Sequence, residues 1–356
     1  FAFYDFGAKG FPESQVAWRL YNFRESPITI ESVSFSTNAF TTSSAFPLTI
    51  NPLQMGTITI NCAPQYAGLQ DSMVLVSSNL PEGSHIVLRE GSLLQGSLSG
   101  VLPVGTYSII NDIAVDSDDI LQLQAGTQFL FTGPYIFEVE GILKAEGTVQ
   151  DSIVFAQEYD PNFSEANRWQ TVYLKNQTSE TIFDFVSIRG GSGYKTSAWS
   201  SDSNGGGMYL QSSDPTLSNM TISGNKAYGS GGGMYLNDSN PILSNLSITN
   251  NLATGMYMRN SNPILNNIII SDNTTGSSGG GISMLWSDPI LTNVVISNNE
   301  AAITGGGISI SNSSPIITNS IISNNTGFYG GGIYLNQSNP ILTNVTIANN
   351  IGTHEG

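Results

Sequence analysis

The stretch GGGMYLNDSNPILSNLSITNN at residues 231–251 returns as GGGISISNSSPIITNSIISNN at 305–325, and the chain around both is built on the same plan. Aligned on their prolines, the copies place Pro215, Pro241, Pro263, Pro289, Pro315 and Pro340 at spacings of 26, 22, 26, 26 and 25 residues. A fixed period between 20 and 50 residues marks a solenoid, in which each repeat buries its apolar face on the next. Two residues before each proline stands Ser213, Ser239, Ser261, Ser287, Ser313 or Ser338. Four after it stands Asn219, Asn245, Asn267, Asn293, Asn319 or Asn344, and ten after it Asn225, Asn251, Asn273, Asn299, Asn325 or Asn350. Between the two asparagine columns runs Ile222, Ile248, Ile270, Ile296, Ile322 and Ile347, and eight before each proline is a glycine, at 207, 233, 255, 281, 307 and 332. Asparagine tolerates left-handed backbone, and its amide can bond the same amide one coil away, so each asparagine column is expected to form a turn with a side-chain ladder. Glycine supplies a third corner with positive φ and close approach, and the isoleucines fill the interior. Strands of three to six residues between such corners, with no helical period, predict a parallel β-helix.

Working outward, the third copy is four residues shorter because its loop is trimmed at Asn251-Leu252-Ala253-Thr254-Gly255. Six strict coils over 205–356 and about four irregular ones before them, each rising ~4.8 Å, would make a rod of roughly 50 Å. Residues 100–204 carry strand-like runs punctuated by Gly and Asp and are expected to be irregular entry coils that cap the stack. Residues 1–99 alternate short apolar segments with Pro, Gly, Ser and Asn turns at the spacing of a β-sandwich. The expected architecture is therefore all-β: a sandwich followed by a solenoid.

Two family resemblances attach to these motifs. The pairing of GGG-I/M-Y/S-L (Gly205–Leu210, Gly231–Leu236, Gly279–Met284, Gly305–Ile310, Gly330–Leu335) with I-S-N-N (296–299, 322–325), I-T-N-N (248–251) and I-A-N-N (347–350) resembles the right-handed parallel β-helix proteins of the pectate-lyase-like superfamily. Within it the pattern is similar to the polymorphic outer-membrane-protein repeats, from which it departs by a third Gly in place of Ala and Ile in place of Phe. The resemblance is strong over 205–356 and weak over 100–204, and it speaks for fold more than function. Tyr4-Asp5-Phe6-Gly7, Arg19-Leu20-Tyr21-Asn22, Ile50-Asn51-Pro52 and Ser77-Ser78-Asn79 followed by His85-Ile86-Val87-Leu88 resemble the immunoglobulin-like modules of the abnormal-spindle or choice-of-anchor type.

Only 11% of residues are charged, and acidic residues outnumber basic ones 27 to 11, for a net charge of −16. That balance speaks against nucleic acid and against anionic membrane surfaces, and no apolar run reaches the ~18 residues of a spanning helix. A single cysteine, Cys62, allows no intrachain disulfide, so backbone ladders and packing must supply the stability. Because the repeat is opening its next turn at His354-Glu355-Gly356, the natural polypeptide is expected to continue.

Catalytic constellations are sparse. Lyases on this scaffold need carboxylates for Ca²⁺ and an Arg or Lys base, while glycosidases need two or three close carboxylates. Over 205–356 the basic side chains are Lys226 and Arg259 and the carboxylates are Asp214, Asp238, Asp272, Asp288, Glu300 and Glu355. Asp214 and Asp288 share a corner but lie three coils apart, ~14 Å, too far for one metal. Asp238 and Arg259 are expected to be surface neighbours. The entry coils are richer in carboxylates. There Asp116, Asp118 and Asp119 offer either an Asp/Ser turn or a Ca²⁺ site, and no other cofactor is expected. His85 and His354 sit in different domains, which leaves no serine-hydrolase triad.

Six before each proline stands Tyr209, Tyr235, Tyr257, Ser283, Ser309 or Tyr334, flanked by apolar residues, so alternation points this column outward. With Trp286 and Leu285 it forms an aromatic stripe, read either as coil-to-coil stacking or as a contact surface for a glycan or partner protein. The expectation is a non-catalytic, secreted or cell-surface rod. Two alternatives stay open: a polysaccharide lyase or glycosidase with carboxylates gathered beside Lys144, Arg168, Lys175 or Lys195, and a self-associating filament or surface-layer subunit.

Overall fold

The structure is a computed structural model, which describes residues 2–5, 15–22, 26–35, 40–52, 54–62, 70–76, 85–89, 93–158, 164–195 and 203–354. Phe6, Gly7, Ser77, Ser78, Asn79, Asp160 and Glu355 lie outside the described residues, as does most of the Ser/Gly-rich loop before the strict repeat. The chain divides into two compact units, Phe1–Gly96 and Ser97–Gly356. Among the described residues the helical content is a single 3₁₀ turn, Glu165–Asn167, so the chain is all-β.

In the first unit, Ala2–Asp5 runs parallel to His85–Arg89, which continues antiparallel into Gln70–Val76 and then Ser32–Phe35. Met55–Cys62 is the centre of an antiparallel sheet between Gln15–Tyr21 and Phe40–Thr42. Ile28–Ile30 pairs with Leu48–Ile50. Alternation buries Ile28, Ile30, Phe40, Ile50, Ile58 and Ile60.

The second unit is a parallel β-helix with three short strands per coil, joined by a fourth at Thr274–Thr275, Glu300–Thr304, Thr326–Tyr329 and Ile351–Gly352. In one coil these are Met208–Gln211, Thr216–Ser218 and Thr221–Ser223, and each pairs in parallel and in register with its equivalents in the coils on either side. The middle strands alone line up as a ten-stranded parallel sheet. Each strand sends alternate residues inward. Met208, Leu210, Leu217 and Ile222 are fully buried, as are Met234, Leu236, Leu243 and Ile248 one coil on. The isoleucine column is interior as expected from Ile222 to Ile322, while Ile347, in the final coil, is half exposed. Ladders run unbroken from the irregular coils into the strict ones, Leu174 pairing with Leu210. The change is in the filling: Phe129, Phe131, Phe137, Phe155, Phe183 and Trp169 occupy the irregular core, where Ile, Leu and Met suffice later.

The corners refine the expected division of labour. Asn219, Asn245, Asn267, Asn293, Asn319 and Asn344 do adopt left-handed backbone, with φ between 50° and 56°. In the other asparagine column the left-handed residue is instead the one before, Gly224, Asn250, Asp272, Asn298, Asn324 or Asn349. That frees Asn225, Asn251, Asn273 and their successors to point inward. Asn299 Oδ1 accepts both the backbone N–H and the Nδ2 of Asn273 at 3.0 Å, and Asn299 Nδ2 donates to Asn325 Oδ1 at 3.0 Å and to Ile270 O at 2.9 Å. The column is thus a buried ladder in which each amide satisfies the coil beside it. The serines two before each proline form another ladder, the Ser239 N–H donating to Ser261 Oγ at 3.0 Å and Ser239 Oγ to Asn237 O at 2.8 Å. The glycine corner also differs from expectation. Positive φ falls on the first glycine of each triplet, Gly205, Gly231, Gly279, Gly305 and Gly330, whereas the third is required for space. A Cβ on Gly281 would sit 2.7 Å from both Gly307 O and Ile296 Cγ2.

Candidate functional site

The first strand of each coil turns its second residue outward, and parallel register makes these residues a continuous column: Glu138, Tyr173, Tyr209, Tyr235, Tyr257, Ser283, Ser309 and Tyr334. The column therefore starts before the strict repeat. Tyr173 belongs to it, and the VYLK of 172–175 is a variant of the MYLQ of 208–211 that could have revealed this in the sequence. Tyr194, on the loop beside the stack, packs against Tyr173 and Tyr209 with ring centres 4.6 and 5.6 Å away. Successive rings are 5.0–5.1 Å apart from Tyr173 to Tyr257, and Tyr235 and Tyr257 are nearly parallel at 6°.

Stacking changes what the stripe can do. Tyr209 and Tyr235 are only 9% and 8% exposed, so their ring faces are occupied by neighbouring rings and unavailable to a ligand. Burial raises the phenol of Tyr173 to about 12, helped by Tyr194, Glu138 and Glu140, and burial likewise pushes Tyr209, Tyr235 and Tyr257 upward. Trp286 is not in the column: it occupies a left-handed corner (φ 52°), stands 52% exposed, and lies under the Arg259 guanidinium at 5.9 Å. Arg259 also opposes the rise that burial causes in the Tyr235 phenol, and it is not paired with Asp238, whose carboxylate accepts from Asn237 and Asn260. The expected Asp238–Arg259 surface pair is thus replaced by aromatic and amide partners.

What remains accessible lies at the two ends of the stack. At the first end Lys175, next to Tyr173, is ion-paired with Glu140 and lies 3.7 Å from Glu138. The Glu140 hydrogen bond holds the ammonium above its usual range. Tyr173 Oη donates to Gln211 Oε1 at 2.6 Å. The ammonium and the phenol are thus both held in their protonated, hydrogen-bond-donating forms. Elsewhere Glu165 joins Arg168 at 2.9 Å and Lys226 at 3.2 Å, an exposed cluster in which the Arg168 hydrogen bond lowers the carboxyl.

At the second end two members of the column are serines, and the space of two missing rings is a cleft of about 270 Å³. Ser283 and Ser309, 9% and 4% exposed, form its floor, with Tyr257 as one wall and Leu285 and Ser311 beside them. The loops above contribute Ser230, Thr254, Ser277, Ser278 and Thr304, and Thr304 Oγ1 lies 3.2 Å from Ser309 Oγ. Tyr334 resumes the column beyond Ser309.

The acidic corners are built into the fold. Asp214 Oδ1 accepts from the Asn240 N–H and Asp288 Oδ1 from the Ser314 N–H, each capping the next coil. Asp116 O accepts from the Asp119 N–H at 2.8 Å and Asp116 Oδ2 from Ser97 Oγ at 2.6 Å, an Asp/Ser turn. Among the described residues no three His, Cys, Asp or Glu side chains gather as a metal-sized group.

The family described as "right handed beta helix region" matches residues 162–303 and 218–354, together more than half of the chain. The chain belongs to the right-handed β-helix family. Over a segment of 106 residues the chain is 32% identical to Protein bark beetle of Drosophila melanogaster. That segment is 29% of the chain, and the chain spans 3% of that relative's length. The chain is also similar to the crystal structure of the periplasmic alginate epimerase AlgG, at 12% identity and a TM-score of 0.27, covering 72% of this chain and 76% of that one.

Proposed function

We propose that the protein is a non-catalytic, extracellular or cell-surface element, in which an immunoglobulin-like sandwich of residues 1–99 accompanies a β-helix that presents the outer face of its tyrosine-bearing sheet to a glycan. The observation that carries this reading is the cleft at Ser283 and Ser309, where a stacked aromatic column stops and leaves a hydroxyl-lined hollow beside Tyr257. The asparagine and serine ladders and the capping aspartates of the strict coils are, by contrast, engaged within the fold. Titrating the purified protein with a panel of neutral and anionic oligosaccharides tests it: saturable binding without chain cleavage is expected. Turnover of an anionic polysaccharide, abolished by one carboxylate substitution, would refute it.

A second reading, a polysaccharide lyase or glycosidase, is favoured by the gathering of Glu138, Glu140 and Lys175 beside Tyr173 in the irregular coils. The Lys175–Glu140 contact, which holds the ammonium above its usual range, supports a structural ion pair there instead. Glu138→Gln and Glu140→Gln separate the two, since only the enzyme would lose turnover.

A further inference from the structure

We infer that the cleft over Ser283 and Ser309, beside Tyr257, is a subsite for a neutral pyranose residue, a sharper statement that rests on the glycan-contact reading above. The size agrees, for about 270 Å³ is just below the ~300–1,000 Å³ of ordinary small-molecule pockets and suits one sugar ring rather than a folded peptide. So does the spacing. Tyr257, Ser283, Ser309 and Tyr334 are consecutive in one in-register column, so the two tyrosines are three coil steps apart, ~14 Å. The gap is therefore the thickness of two absent aromatic rings.

The lining selects the chemistry. Eight of the eleven lining residues are serine or threonine, whose hydroxyls donate or accept as the partner requires and so match vicinal sugar hydroxyls. Tyr257 presents an aromatic wall and Leu285 an aliphatic one, the pairing that covers the C–H face of a pyranose. Among the described lining residues none is charged. The adjacent cation, Arg259, lies over the Trp286 ring and is not among the lining residues of the cleft. A uronate carboxylate would therefore lose its hydration with no compensating charge, on a chain of net charge −16.

Register also supplies the test. Restoring the column by Ser283→Tyr or Ser309→Tyr should fill the cleft with the ring that the neighbouring coils already stack. Calorimetric titration uses neutral hexamers of β-linked glucose, mannose and galactose, with a galacturonate hexamer as the charged probe. At least one neutral hexamer should bind and the galacturonate should not. Tyr257→Ala should weaken binding about 10-fold, and either tyrosine insertion should abolish it with the thermal midpoint unchanged or raised. If a tyrosine variant does not fold, Ser283→Val, which removes a hydroxyl and leaves the backbone alone, should still weaken binding. Neutral binding that survives both insertions, or preferential binding of the galacturonate, overturns the subsite while leaving the glycan reading in place. Binding to none of the hexamers overturns both.

Discussion

Asn299 and Asn293 stand six residues apart in columns that look alike in the sequence, and the structure gives them unequal roles. Asn299 is 1% exposed, and its amide satisfies the Asn273 N–H, the Asn273 Nδ2 and the Ile270 carbonyl. Replacing it with Ala orphans two donors on Asn273, itself fully buried, at ~1–3 kcal/mol each, so Asn299→Ala should cost about 2–6 kcal/mol. Asn293 is exposed, has a φ of 55°, and donates to Asn267 Oδ1 at 3.1 Å. Asn293→Gly keeps the left-handed corner and forfeits only solvent-exposed hydrogen bonds, to Asn267 and, at 3.4 Å, to Asn266 Oδ1, a loss of about 1 kcal/mol. Urea unfolding followed by circular dichroism compares them, with the m-value checked for each variant because solenoids can unfold in sections. Equal costs for the two, or a larger cost for Asn293→Gly, would refute the assignment of the second column as the buried ladder.

Further perturbations follow from the same geometry. Gly281→Ala places a methyl against the Gly307 carbonyl that already accepts from Ile282, and should cost more than ~2 kcal/mol, whereas Gly276→Ala, with nothing within 4 Å, should be neutral or slightly stabilising in the same melts. Trp169 is fully buried, stacks on Phe131 at 4.4 Å and donates to the Arg189 carbonyl at 3.0 Å, so Trp169→Ala should cost about 3–5 kcal/mol by chemical unfolding. The tyrosine stack should make the fold alkali-sensitive. The unfolded Tyr173 phenol ionises near pH 10 and the folded one near 12, so its contribution is intact below pH 10 and is lost as pH rises to 12, at up to about 1.4 kcal/mol per pH unit. Stability measured between pH 9 and 12 should fall accordingly, and less steeply in Tyr173→Phe.

The proline-aligned repeat made the fold legible because each column has a mechanical duty that few residue types can perform. Period alone does not say which of two adjacent residues turns the chain. In Asn298-Asn299 the first takes positive φ and the second the ladder, and only the backbone distinguishes them. Alternation likewise put the tyrosines on the outer face but could not show that rings 5.0 Å apart bury one another, or that Tyr194 leans in from the loop. Tyr173 lay hidden because the irregular coils lack the glycine triplet that marks the strict ones. Trp286 was misplaced beside the stripe because three residues further along the coil is a corner and not the strand face. Ser283 and Ser309 were visible as exceptions in the tyrosine column. Their meaning appeared only when the loops carrying Thr254, Ser277 and Thr304 closed over the gap.

The central claim, that this face of the β-helix contacts its ligand where the aromatic column is interrupted, is tested most directly by a crystal structure of the protein bound to the tightest-binding hexamer of the titration panel. The account predicts a pyranose ring seated over Ser283 and Ser309, its apolar face against Tyr257. Sugar density on another face of the helix, or lying along Lys175 and Glu140 with the serine cleft empty, would contradict it.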